Sequence, residues 1–71
     1  MTFFEAMNLI VNTASGSFKV RRKRWNPSIY VSKVIIDGVG KICEHDSVLN
    51  IDKGFCAYSE DIMSDDWEEY K

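Results

Sequence analysis

Phe18-Lys19-Val20-Arg21-Arg22-Lys23-Arg24-Trp25-Asn26 sets the reading of the whole chain. It opens as a strand, with Phe18 and Val20 on one face of a period-two alternation. Arg22 and Arg24 continue that face, while Lys19, Arg21, Lys23 and Trp25 fall on the other. A strand that buries one face cannot leave guanidinium groups unpaired there, because an unpaired buried charge is costly. Either these arginines meet carboxylates or the end of the strand enters a polar pocket. Trp25 and Asn26 add an indole and an amide at the exit. Cation, indole and amide together suit an anionic aromatic ligand such as a nucleotide.

Working outward, Thr2-Phe3-Phe4-Glu5 has the form of a capping box. Phe3, Ala6, Met7, Ile10 and Ala14 then recur at helical spacing, and Ser15-Gly16-Ser17 supplies the stop. A strand is expected from Phe18 to Trp25, broken by Asn26-Pro27-Ser28. Ile29 to Ile36 reads as a second strand. Asp37-Gly38 is a hairpin turn, and Val39 to Glu44 is the return strand. His45 to Gly54 reads as loop, Phe55 to Tyr58 as a short strand, and Ser59 as the cap of a helical turn through Met63. Trp67 to Tyr70 is the last strand. The expected fold is α+β: one domain, residues 1–71, with an N-terminal helix packed on a small antiparallel sheet, a short C-terminal helical turn and a last strand.

At 71 residues the core is small. A chain of this size buries only about 60% of its unfolded surface. Two cysteines are too few for a disulfide scaffold, which leaves self-association as the source of further burial. Four Phe, three Tyr and two Trp exceed what so small a core needs. No basic leader and no apolar run of about 20 residues is present, so an intracellular, soluble setting is the expectation. The net charge of −2 hides an asymmetry, with six basic residues and no acid from Lys19 to Lys33, and six acids and no base from Glu60 to Glu69. Mutual neutralisation is one reading of that asymmetry. A basic patch for an anion is the other.

The motifs form an ordered series: Phe4-Glu5-Ala6-Met7, Val20-Arg21-Arg22, Trp25-Asn26, Tyr30, and Tyr58-Ser59-Glu60-Asp61-Ile62-Met63-Ser64-Asp65-Asp66-Trp67. This series resembles the small phage proteins known as Thoeris anti-defence proteins of the second type. Val31 to Phe55 carries no motif of that family. The resemblance implies a dimeric or tetrameric, non-enzymatic sponge in the cytoplasm of an infected bacterial cell. Such a sponge sequesters a cyclic nucleotide-type immune signal, glycocyclic ADP-ribose or a cyclic oligonucleotide, with no cofactor.

Residue by residue, Trp25 is either a stacking platform for a base or a core tryptophan. Arg21 and Arg24, with no evident internal partner, are candidate phosphate contacts. Asn26 is placed at a base edge or ribose, and Tyr30, Tyr58 and Ser59 are placed around the pocket. Arg22 reads as structural, buried and paired with Asp61 or Asp66 through its bidentate fork. Asp61, Asp66 and Trp67 read as structural too, with the indole under the N-terminal helix. Cys43, His45, Asp46 and Cys56 match no standard zinc spacing, so no metal and no catalytic residue is expected. Two other functions stay open. One is inhibition of a host defence protein through the acidic C-terminal segment. The other is nucleic-acid binding by Arg21 to Arg24, which the acidic end opposes.

Overall fold

The computed structural model describes residues 1–13 and 18–70. Its elements are α1 (Phe3–Asn12), β1 (Lys19–Arg22), β2 (Ile29–Ile36), β3 (Val39–Asp46), β4 (Ile51–Gly54), α2 (Ser59–Met63) and β5 (Trp67–Glu69). The strands form one antiparallel sheet in the order β4-β3-β2-β1-β5. The architecture is α+β, with the N-terminal helix on a five-stranded antiparallel sheet and a short helix before the last strand.

The first helix starts where its sequence dictates. Glu5 N–H donates to Thr2 Oγ1 at 3.2 Å, and Thr2 N–H donates to Glu5 Oε1 at 2.8 Å. Two N–H groups that the helix cannot satisfy are thereby used. The bond from Thr2 also holds the Glu5 carboxyl below its ordinary value. Ala6 and Ile10, one turn apart, are fully buried. The helix ends at Asn12 rather than near Ala14. Ala14 and the Ser15-Gly16-Ser17 stop lie outside the described residues.

The core joins Ala6 and Ile10 to Val20, Val31 and Trp67, flanked by Met1, Phe3, Met7, Phe18, Trp25, Ile42 and Phe55. Val20 pairs with Val31, and Arg22 with Trp67, so these side chains share the face under α1. Trp67 meets Phe3 edge-on at 5.7 Å and donates Nε1–H to the Asp61 carbonyl at 2.9 Å. Tyr30, Lys19 and Arg21 alternate onto the other face, which no helix covers among the described residues.

Three expectations are corrected. The first strand stops at Arg22, not Trp25. Lys23 N–H still meets the Asp66 carbonyl at 3.2 Å, in register with β5, but Trp25 N–H then closes a turn on the Arg22 carbonyl at 3.1 Å. His45 to Gly54 is not a loop: β3 runs on to Asp46, and β4 returns from Ile51 to Gly54. The turn between them is made by Asp46 Oδ1, which accepts from Val48 and Leu49 N–H at 3.0 and 3.2 Å, and by Asn50 at φ 54°. Phe55 to Tyr58 forms no strand. Phe55 N–H makes one bond to the Ile42 carbonyl before the chain leaves the sheet. The Asp37-Gly38 hairpin stands as read, with φ of 52° and 77° at its two central residues. That is the mirror-image turn that suits twisted strands.

Candidate functional site: a buried arginine clamp and an open aromatic sheet face

The arginines of the opening stretch take different surroundings because only part of it is strand. Arg22, in phase with Val20, is 3% exposed. Its Nε donates to Asp66 Oδ1 at 2.9 Å. Nη1 donates to Asp61 Oδ1 at 2.9 Å and to Glu60 Oε1 at 3.2 Å, and Nη2 donates to Ser64 Oγ at 2.8 Å. Asp61, itself buried, also accepts from Tyr58 N–H at 3.0 Å. This network fastens α2 to β1 and β5. It holds the Arg22 guanidinium protonated beyond its ordinary range, with Asp66 the first cause. A guanidinium held in that way is a clamp, not an acid or base.

The reciprocal effect makes the clamp sensitive to acid. The Arg22 hydrogen bond lowers the Asp66 carboxyl from its ordinary value of 3.8. A depressed carboxylate contributes stability in full above that ordinary value and loses it as pH falls through the folded value. Urea melts at pH 7 and pH 3 should therefore show a lower midpoint in acid. Asp66→Asn should be less stable at pH 7 and should lose less further stability on acidification. An unchanged pH slope in the variant would assign the acid sensitivity elsewhere.

Arg21 and Arg24 do have internal partners, against expectation. Arg21 lies opposite Glu68 across β1 and β5, and its Nη1 reaches Glu68 Oε2 at 3.1 Å. Its Nη2 donates to the Trp25 carbonyl at 2.7 Å, and so braces the turn after β1. Arg21 Nε is buried without a hydrogen-bond partner among the described residues. Arg24 reaches Glu60 Oε1 at 2.7 Å, with both side chains 60% exposed, a geometry worth little energy. The acidic segment is thus largely engaged by the arginines, with Glu60, Asp61, Asp66 and Glu68 all ion-paired.

Trp25 is on the core side, not opposite Phe18 and Val20. The chain leaves strand geometry after Arg22, so period-two counting no longer applies to it. Its ring packs edge-on against Trp67 at 5.2 Å and Phe55 at 6.1 Å. Asn26 Oδ1 accepts from Ser28 N–H at 3.1 Å and Ser28 Oγ at 3.0 Å, which closes a local turn. Tyr58, 74% exposed, is the N-cap of α2. Ser59 is the first residue of that helix rather than its cap. The expected ligand residues therefore do not converge. Trp25 packs with Trp67 on the core side, and Arg24, Tyr58 and Ser59 gather at α2. Arg21 and Tyr30 share the open face.

That open face has a constellation of its own. Tyr30 lies 4.7 Å from the Tyr70 ring and 4.9 Å from the His45 ring, centroid to centroid. Lys19 Nζ sits 4.8 Å from the Tyr30 centroid. His45 Nδ1 is bonded to the Asp52 carboxylate on β4. Beside this row, Arg21, Pro27, Glu68, Glu69 and Tyr70 line a cavity of about 490 Å³. Lys19 and Tyr70 were not singled out in the sequence, and His45 was weighed only as a metal or catalytic residue. The signal was there for His45: a two-residue turn at Asp37-Gly38 pairs Tyr30 with His45 by simple counting.

Cys43 is buried, Cys56 is exposed, and both are free thiols. Among the described residues no group of His, Cys, Asp and Glu could hold a metal ion, and no helix is long and apolar enough to cross a membrane. No family model, curated protein or solved structure matches this chain.

Proposed function

We propose that this protein binds and sequesters an anionic, nucleotide-type signalling molecule without chemically altering it, as a phage anti-defence protein in the cytoplasm of an infected cell. The observation that carries the reading is the open sheet face, where Tyr30, Tyr70 and His45 form a continuous aromatic row under the Lys19 ammonium. A base or nicotinamide-like ring stacks on such a row, and Lys19 meets phosphate. Glu68 and Glu69, in the neighbouring cavity, offer acceptors for ribose hydroxyls. Glycocyclic ADP-ribose and cyclic oligonucleotides combine these parts. The ligand site thus centres on Tyr30 with Tyr70, His45 and Lys19, while Arg21, already paired with Glu68, and Trp25 and Asn26 shape its border. Self-association as a dimer or tetramer belongs to the same proposal.

Sequestration needs no catalysis. A binder in excess, with a dissociation constant below that of the receptor, lowers the free signal by mass action. Inhibition of a host protein through the acidic segment is the weaker reading, because most of those carboxylates already face arginines. The same pairing weakens a nucleic-acid role for Arg21 and Arg24.

Calorimetric titration with cyclic ADP-ribose isomers and cyclic oligonucleotides tests the proposal. At least one should bind the wild type. Tyr30→Ala and Lys19→Ala should each weaken that binding, Tyr30→Ala by about 1–3 kcal/mol, with little change in melting temperature. Binding that survives Tyr30→Ala and Lys19→Ala and is lost in Trp25→Ala would return the site to the core side of the sheet.

A further inference from the structure

Tyr30, His45 and Asp52 stand directly opposite one another on β2, β3 and β4. Opposed residues on neighbouring strands share a face, so the three form one cross-strand row on the open side of the sheet. His45 Nδ1 is bonded to the Asp52 carboxylate. A carboxylate only accepts, so Nδ1 carries a proton toward Asp52, and Nε2 is the nitrogen that gains or loses one. Nε2 makes no hydrogen bond among the described residues, and it is not a buried atom. Lys19 on β1 and His45 on β3 approach Tyr30 from its two neighbouring strands. The Lys19 ammonium lies 4.8 Å and the imidazole 4.9 Å from the Tyr30 centroid.

We propose that His45 is a second anion contact of the open face, and that a nucleotide-type ligand binds there with uptake of a proton at His45 Nε2. The inference rests on the sequestration reading above. A neutral Nε2 would meet a phosphate oxygen lone pair to lone pair. A protonated Nε2 is a donor on a cation, and its hydrogen bond to an anion is of the strong, charge-assisted kind. The charges around Tyr30 act in the same direction. Arg21 is offset by Glu68, and Lys19 and Asp52 contribute one charge of each sign. With His45 neutral these sum to zero. A proton on His45 makes the face cationic, the sign that attracts a phosphate.

His45 is the one histidine in the chain. No other side-chain type ordinarily titrates between pH 5.5 and pH 7. The groups that face it are Tyr30 from β2 and Asp52 from β4, with Cys43 two residues away on its own strand. Asp46 is adjacent in sequence, and its carboxylate accepts from Val48 and Leu49 N–H. Glu44 pairs with Lys53 on the opposite face. The Met1 ammonium donates to the Trp67 carbonyl on β5, at the other end of the sheet. Phosphodiesters and diphosphate diesters stay ionised throughout this range, so a change in affinity reports the protein.

Calorimetry with the cyclic ADP-ribose isomers and cyclic oligonucleotides, run at pH 7 and pH 5.5, tests the inference. The wild type should bind about tenfold more tightly at pH 5.5, the worth of a hydrogen bond to a charged group. Titrations at pH 7 in two buffers of different ionisation heat should show proton uptake on binding. By the reciprocity of linkage, the His45 ring signals in the NMR spectrum should titrate at higher pH with ligand than without it. His45→Phe, which keeps a ring beside Tyr30, should bind with the same constant at both pH values. Circular dichroism checks that the variant, and the wild type at pH 5.5, are folded. Equal wild-type affinity at the two pH values, a His45 titration that the ligand does not move, or a pH dependence that persists in His45→Phe would overturn this inference and leave sequestration standing. No binding at either pH would overturn both.

Discussion

Arg22→Ala should cost the protein a large share of its folding stability. The substitution removes the one cation that Asp61, Asp66 and Glu60 share and strips Ser64 of its donor. Asp61 is 6% exposed and would be left as a buried charge next to an empty volume. Removing one partner of a buried ion pair costs about 3–5 kcal/mol. Domains of this kind have about 5–15 kcal/mol in total. Arg22→Lys should rescue little of this, since a single ammonium cannot reproduce a planar fork that reaches residues on α2 and beside β5. Chemical denaturation followed by tryptophan fluorescence measures the effect. A midpoint within about 1 kcal/mol of wild type would show that the clamp contributes no net stability.

Trp67→Ala should be as damaging, for a different reason. Trp67 is 1% exposed and sits where Phe3, Trp25 and Phe55 all meet it edge-on. Deleting so large a buried side chain costs about 3–5 kcal/mol in lost transfer energy and residual cavity. Trp67→Phe separates packing from hydrogen bonding. It retains much of the apolar contact but leaves the Asp61 carbonyl without the Nε1 donor. Leaving one buried acceptor unpaired costs about 1–3 kcal/mol, so Phe should be intermediate. The two substitutions converge on Asp61, which Arg22 binds through its carboxylate and Trp67 through its carbonyl. Their effects in the double variant should therefore be less than additive.

Sequence and structure agree where a local rule acts alone. The Thr2 to Glu5 box starts α1, and Asp37-Gly38 closes the hairpin, because each depends on residues a few positions apart. Arg22 could be placed inward by strand phase, and its carboxylates lie in the acidic segment near the C-terminus. The phase argument then failed after Arg22, where a tight turn closed by Trp25 N–H on the Arg22 carbonyl ends the strand. Trp25 was misplaced as a consequence. β4 was missed because Ile51-Asp52-Lys53-Gly54 is exposed along its whole length and shows no burial pattern. The aromatic face is a product of register. Tyr70 reaches Tyr30 only because β5 returns beside β1, with Tyr70 N–H on the Lys19 carbonyl at 2.8 Å.

Equilibrium dialysis with recovery of the ligand tests the central claim most directly. The purified protein is dialysed against a cyclic ADP-ribose isomer or cyclic oligonucleotide that binds in calorimetry. It is then denatured, and the released small molecule is identified by mass spectrometry. Sequestration predicts stoichiometric accumulation on the protein side, full recovery of the ligand at unchanged mass, and loss of accumulation in Tyr30→Ala. An altered product would make the protein an enzyme, and no accumulation of any member of either class would remove the basis for a sponge.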